Sequence, residues 1–137
     1  MKKILVTIKK EKQDCPIFIG EGIIGKLKYC IDVSAYSKIL IITDETVKSL
    51  FLKEILIQMP VSTNFIILPN GEQAKDTKSV KNILEKLISI GADRKSLIIN
   101  LGGGVISDVG GFAASIFMRG IACINIPTTL LAQVDAS

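Results

Sequence analysis

Asn100-Leu101-Gly102-Gly103-Gly104-Val105-Ile106-Ser107-Asp108 is the stretch on which the reading of this chain turns. It follows the apolar run Leu97-Ile98-Ile99 and opens a segment in which Val105, Val109, Phe112 and Ile116 recur at helical spacing. Consecutive glycines between a strand and a helix let the backbone turn tightly and approach a bulky neighbour. A helix N-terminus placed there aims free N–H groups and the positive end of its dipole at an anion, most simply a phosphate. The competing reading is a glycine-rich connection that only saves space. The surrounding chain decides between them.

Upstream, Ile4 to Ile8 and Pro16 to Ile19 read as two short strands joined by a polar turn over Lys9 to Asp14, an N-terminal hairpin. Gly22 to Ile31 carries Ile23, Ile24, Leu27 and Ile31 at helical spacing. Lys38 to Ile42 is a buried strand with Thr43 to Thr46 polar at its end. Val47 to Met59 is a helix stopped by Pro60. Phe65 to Leu68 is the next strand, followed by the polar loop Pro69 to Lys75. Thr77 is the expected N-cap of a helix with Val80, Ile83, Leu84, Leu87 and Ile88 inward, and Gly91 closes it. Downstream of the glycine loop come a helix to about Met118, a strand from Ile121 to Ile126, Pro127-Thr128-Thr129, and an apolar segment from Leu130. This alternation predicts an α/β fold, a Rossmann-like parallel sheet flanked by helices, with the hairpin at its N-terminus.

Composition agrees. The 137 residues suit one domain, and 48% apolar content can build a full core. Isoleucine appears 24 times and aromatic residues make up only 5%, which suits strands buried on both faces. The formal charge of +4 comes from scattered lysines without a basic block, so neither a nucleic-acid surface nor a nucleic-acid partner is expected. Cys15, Cys30 and Cys123 are widely spaced and form neither a disulfide framework nor a zinc knuckle; reduced thiols in a cytoplasmic protein are expected. Met1-Lys2-Lys3 and the short apolar run after it do not make a signal peptide, and no apolar run approaches the ~20 residues that span a bilayer. The chain has no histidine, so no chemistry that needs one can be performed by these residues alone.

The polar clusters all fall at carboxyl ends of predicted strands, the edge where open α/β sheets bind ligands. Asp44, Gly71 to Lys75, Gly102 to Asp108 and Thr128-Thr129 are therefore expected to converge on one crevice and make a nucleotide site. Asp44 suits ribose or adenine hydrogen bonds, or an N-cap. Glu72 and Lys75 could also be a mere surface ion pair. Thr128 and Thr129 are either a cap or a phosphate contact. Gly110 and Gly111 cost about 1 kcal/mol each inside a helix relative to alanine, which a close approach of sheet or ligand would explain. Arg119 could clamp a phosphate or carboxylate, or simply face solvent at a helix end. The loop is no ordinary dinucleotide fingerprint, because Ser107 stands where the third glycine would be and the loop follows a late strand.

Together these residues resemble the 3-dehydroquinate synthase family. The resemblance rests on Pro16-Ile17-Phe18-Ile19-Gly20, Leu68-Pro69-Asn70-Gly71-Glu72-Gln73, Leu101 to Ile106, Asp108, Gly111-Phe112-Ala113-Ala114, Met118-Arg119-Gly120-Ile121 and Ile126 to Asp135. The related polyol dehydrogenases look different after the triple glycine, where this chain reads Asp108-Val109-Gly110-Gly111-Phe112. The resemblance implies an NAD-binding α/β domain over residues 1–137, with NAD contacts on Asp44, on Asn70, Gly71, Glu72, Gln73, Ala74 and Lys75, on Gly103, Gly104, Val105, Ile106, Ser107 and Asp108, and on Thr128 and Thr129. It implies sugar-phosphate substrate contacts on Arg119 and Asp135. The implied activity is conversion of 3-deoxy-D-arabino-heptulosonate 7-phosphate to 3-dehydroquinate plus phosphate, by a homodimer of full-length chains. The family's divalent metal, zinc or cobalt, is held by a glutamate and two histidines in a helical C-terminal domain that this chain lacks. Leu130, Leu131 and Val134 are then expected to leave an apolar patch where that domain would pack. A non-catalytic NAD-binding module and a polyol dehydrogenase relative are the alternatives.

Overall fold

The computed structural model describes residues 2–8, 13–60 and 62–135, with side chains from Cys15 onward. Strands β1 (Lys2–Ile8) and β2 (Gln13–Ile19) pair antiparallel from Lys2 opposite Ile19 to Ile8 opposite Gln13. This is the expected hairpin. Gln13 and Asp14 belong to its second strand, and the rest of the expected turn lies outside the described residues.

Four strands form the main sheet: β3 (Ile39–Asp44), β4 (Asn64–Leu68), β5 (Leu97–Gly102) and β6 (Ala122–Pro127), in the order β4-β3-β5-β6. All three pairings are parallel. The central strands β3 and β5 are buried along almost their whole length, and mostly apolar, because both of their faces are covered. Leu40, Ile42 and Ile98 pack with Ile83, Leu87, Ile106 and Val109 on one face, and Ile39, Ile41, Leu97, Ile99 and Leu101 pack with Val47, Leu52 and Ile55 on the other. Strand alternation sorts neighbouring residues between these two layers.

The helical segments refine the expected pattern. Ile23–Tyr29 is a 3₁₀ segment interrupted at Lys26 rather than an α-helix. The helix after β3 is continuous but uneven: α1 (Glu45–Val47), a π turn over Lys48–Leu52, then α2 (Lys53–Leu56). Helix α3 (Thr77–Ser89) is capped by Asp76, not Thr77, because the Asp76 carboxylate accepts from the Ser79 N–H at 2.7 Å. Gly91 closes it with φ 68°, where its N–H donates to the Ile88 carbonyl. Ile88, expected inward, is 69% exposed.

Helix α4 (Gly104–Ile116) ends two residues before Met118, and a tight turn over Phe117–Arg119 leads to β6. Its buried face differs from the one expected. Ile106, Ser107, Val109, Gly110, Ala113 and Ala114 are buried, whereas Phe112 and Ile116 are 56% and 45% exposed. Helix α5 (Leu130–Asp135) follows β6. No helix among the described residues is long and apolar enough to cross a membrane.

Candidate functional site

The carboxyl edge of the sheet opens into a cleft of about 480 Å³, within the range of roughly 300–1,000 Å³ usual for small-molecule pockets. The four loops singled out by the sequence meet there: Asp44, Asn70 to Glu72 with Lys75, Gly103 to Ile106 with Asp108, and Thr128 with Thr129.

The glycines of the central loop serve different ends. A Cβ on Gly102 would lie 2.6 Å from Ile106 Cγ1, so this glycine is dictated by packing within the protein. A Cβ on Gly103 would touch Thr129 Cγ2 at 3.4 Å, and one on Gly104 would meet nothing within 4 Å. Gly104 therefore has no internal packing reason to lack a side chain. Gly103 caps α4 without a side chain, and its carbonyl accepts from the N–H groups of Ile106 and Ser107 at 3.1 and 3.2 Å. The N–H groups of Gly104 and Val105 take no partner among the described residues. They stand at the positive end of a 13-residue helix, bordering the cleft.

Charge is arranged around that point. Lys75 Nζ lies 2.7 Å from Asp108 Oδ2 and 3.5 Å from Glu72 Oε2. The ion pair within the loop thus exists, but its tighter arm ties the β4–α3 loop to α4. The Asp108 carboxylate holds the Lys75 ammonium above the usual lysine range, so it stays charged beside the helix terminus. An ammonium has three donors, which leaves one for a ligand.

Further polar groups line the cleft. Asp44 is an N-cap, its Oδ1 accepting from the Val47 N–H at 2.8 Å, and it also borders the cleft. Asn70 Nδ2 donates to Thr46 Oγ1 at 3.2 Å. Thr46 lines the cleft too, a residue of the polar cluster after β3 that the sequence does not single out. The Thr129 hydroxyl caps α5 by accepting from Ala132 N–H at 3.2 Å, and the Thr128 N–H donates to the Gly102 carbonyl at 3.0 Å. These bonds hold the last two loops together. Leu131, Ala132 and Asp135 bring α5 to the rim.

Four expected site residues do not line the cleft. Ala74 is fully buried in the core. Gln73 is exposed and turns back to donate to the Asn70 carbonyl at 3.0 Å. Ser107 is buried, its hydroxyl without a partner among the described residues, because the helix turns that position inward. Arg119 follows the far end of α4, whose 13 residues carry the chain about 20 Å at ~1.5 Å per residue. It is exposed there, and it and Met118 have positive φ of 69° and 51°.

A family model described as 3-dehydroquinate synthase N-terminal matches residues 65–137. The chain belongs to the 3-dehydroquinate synthase family. A 3-dehydroquinate synthase of Blochmanniella pennsylvanica is 41% identical over 140 residues, covering all of this chain and 38% of the relative. One of Campylobacter hominis is 50% identical over 107 residues, covering 77% of this chain and 31% of the relative. Among solved structures, a 2-deoxy-scyllo-inosose synthase complexed with carbaglucose-6-phosphate, NAD+ and Co2+ superposes with a TM-score of 0.83 at 27% identity, over 98% of this chain and 36% of that one. The chain thus spans about a third of the length of the relatives it matches.

Proposed function

We propose that this chain forms the nucleotide-holding part of a 3-dehydroquinate synthase and that its cleft binds NAD. The observation that carries this reading is the α4 N-terminus: N–H groups at Gly104 and Val105 that are unpaired among the described residues, open space where a Gly104 side chain would be, and Lys75 paired with Asp108 in the first turns. That arrangement fits a pyrophosphate. Asp44 and Asn70 supply acceptors for ribose hydroxyls across the cleft. NAD bound there would supply reversible hydride acceptance, the chemistry that makes a neighbouring C–H acidic in a sugar phosphate. The chain's own residues bind and orient it.

For the whole enzyme we propose conversion of 3-deoxy-D-arabino-heptulosonate 7-phosphate to 3-dehydroquinate with loss of phosphate, by a homodimer. Asp135, at the cleft rim, is placed to meet the substrate; Arg119 stands away from the cleft. The family's metal finds no donor set here: the chain has no histidine, and no cluster of potential ligands occurs among the described residues. Leu130, Leu131 and Val134, exposed at 76%, 71% and 76%, offer an apolar surface beside the cleft for the further domain of the family.

The test compares this chain with one extended by the C-terminal part of a relative, assayed for NAD binding and for phosphate release. We expect both to bind NAD and only the extended chain to release phosphate. Phosphate release by the 137 residues alone would overturn the half-site reading. Reduction of NAD by glycerol or another diol would instead point to a polyol dehydrogenase. NAD binding with no turnover even when extended would leave a binding module.

A further inference from the structure

Asn100 is wholly buried at 0% exposure, one residue before the last apolar position of β5. It shares a face of that strand with Ile98, the face covered by α3 and α4. Its Nδ2 donates to Asn125 Oδ1 at 2.9 Å and lies 3.2 Å from Cys123 Sγ, both on the neighbouring strand β6. Those bonds fix the amide between two strands. Its Oδ1 has no hydrogen-bond partner among the described residues and faces α4, where a Cβ on Gly110 would collide with it and lie 2.6 Å from Cγ. Contacts that short cannot be relieved by a flexible side-chain tip, because the amide is held on its other side. Gly110 and Asn100 are therefore a matched pair, and the glycine lets α4 lie flat on the sheet. Gly111, with nothing within 4 Å of its own Cβ position, has no such role.

The height of α4 over β5 and β6 also sets where its N-terminus stands. Gly110 is less than two turns from Gly104, about 9 Å along the helix. At the helix start the fit is close: a Cβ on Gly103 would lie 3.4 Å from Thr129 Cγ2, and the Gly102 carbonyl accepts from Thr128 N–H at 3.0 Å. A helix lifted at Gly110 would tilt its first turn against those contacts. Asp44 and Asn70 line the cleft from elements other than α4 and would stay in place.

We propose that Asn100 is a positioning residue for the anion-binding end of the cleft, acting through Gly110 on the α4 N-terminus; this rests on the reading of the cleft as a nucleotide site. The test measures calorimetric affinities for ADP and for adenosine, which lacks the phosphates that would meet α4. Melting temperature is followed in parallel. Gly110→Ala is expected to weaken ADP roughly tenfold while leaving adenosine within about twofold. Asn100→Ala in the Gly110→Ala background opens room for the methyl group and should restore most of the ADP affinity. Should Gly110→Ala fail to fold, that double variant and Asn100→Ala alone carry the test; the latter should lower the affinity for ADP relative to adenosine. A purely structural role would lower the melting temperature without changing the ratio of the two affinities, and that result overturns the proposal. A wild-type chain that binds neither compound overturns the nucleotide reading and this inference with it, whereas normal wild-type binding with an unchanged ratio in every variant overturns the positioning role alone.

Discussion

The two edges of the main sheet carry similar residues and do different things with them. At the amino edge, Asp93 accepts from the hydroxyls of Ser37 and Ser96 and from Lys95 N–H, while Ser37 N–H donates to the Lys95 carbonyl. Ser96 is buried and its hydroxyl also accepts from Asp93 N–H. Those polar groups close on one another and fasten two loops. At the carboxyl edge, Gly104 and Val105 keep N–H groups unpaired among the described residues, and Asp44, Thr46 and Asn70 border an open cleft. A polar cluster marks a site when its groups remain available, and a clasp when they do not.

Breaking the open edge should give the largest effect. Gly104→Asp puts a carboxylate into the empty space at the helix terminus, where it takes the place of a phosphate. NAD affinity should fall by about a hundredfold or more with the melting temperature nearly unchanged, as calorimetry and a thermal melt would show. Next comes Lys75→Ala, which removes the cation between Glu72 and Asp108. It should weaken NAD by roughly tenfold, because one charge-assisted contact is lost while the helix terminus remains. Raising ionic strength should narrow that difference.

The closed edge should respond in the opposite sense. Asp93→Ala should lower the melting temperature and leave the NAD dissociation constant where it was. Its carboxyl is held below the usual range, first by the Ser37 hydroxyl and then by Lys95 N–H, and Asp76 is held low by Ser79. A carboxylate whose folded-state value is depressed contributes stability that is present above its ordinary value and lost as pH falls through the folded one. Acid melts should therefore show stability declining below the ordinary aspartate range, with a smaller decline in Asp93→Ala. Lys75 has the reverse sign: its contribution is fully present below the ordinary lysine value and is lost as pH rises through its raised one. The smallest effect belongs to Ile88→Lys on the exposed face of α3, which should change stability by less than about 0.5 kcal/mol.

Much of this was legible beforehand. Strand–helix alternation gave the parallel sheet, and strand-end polarity brought the four loops to one edge. The buried face of α4 was misread because Gly110, Ala113 and Ala114 carry little apolar bulk, so Phe112 and Ile116 dominated the periodicity while the small residues took the sheet. Asp76 and Thr77 are both cap formers, and only geometry chooses between neighbours. Ser107 sits inside a glycine-loop motif, yet helical rotation turns it away from the cleft. Arg119 is near the motif in sequence, but an intervening helix takes it to the other side. Thr46 stands in a polar cluster where its acidic neighbour Asp44 carries the stronger signal. Position along the chain located the loops; orientation within them needed coordinates.

The central claim is that the carboxyl edge is a nucleotide cleft already formed by these residues. Calorimetric titration of the wild-type chain with NAD at neutral pH tests it most directly. The account predicts one saturable site per chain, with a dissociation constant of about millimolar or tighter. Absence of binding heat with NAD at several millimolar, from a chain that melts cooperatively, would contradict it.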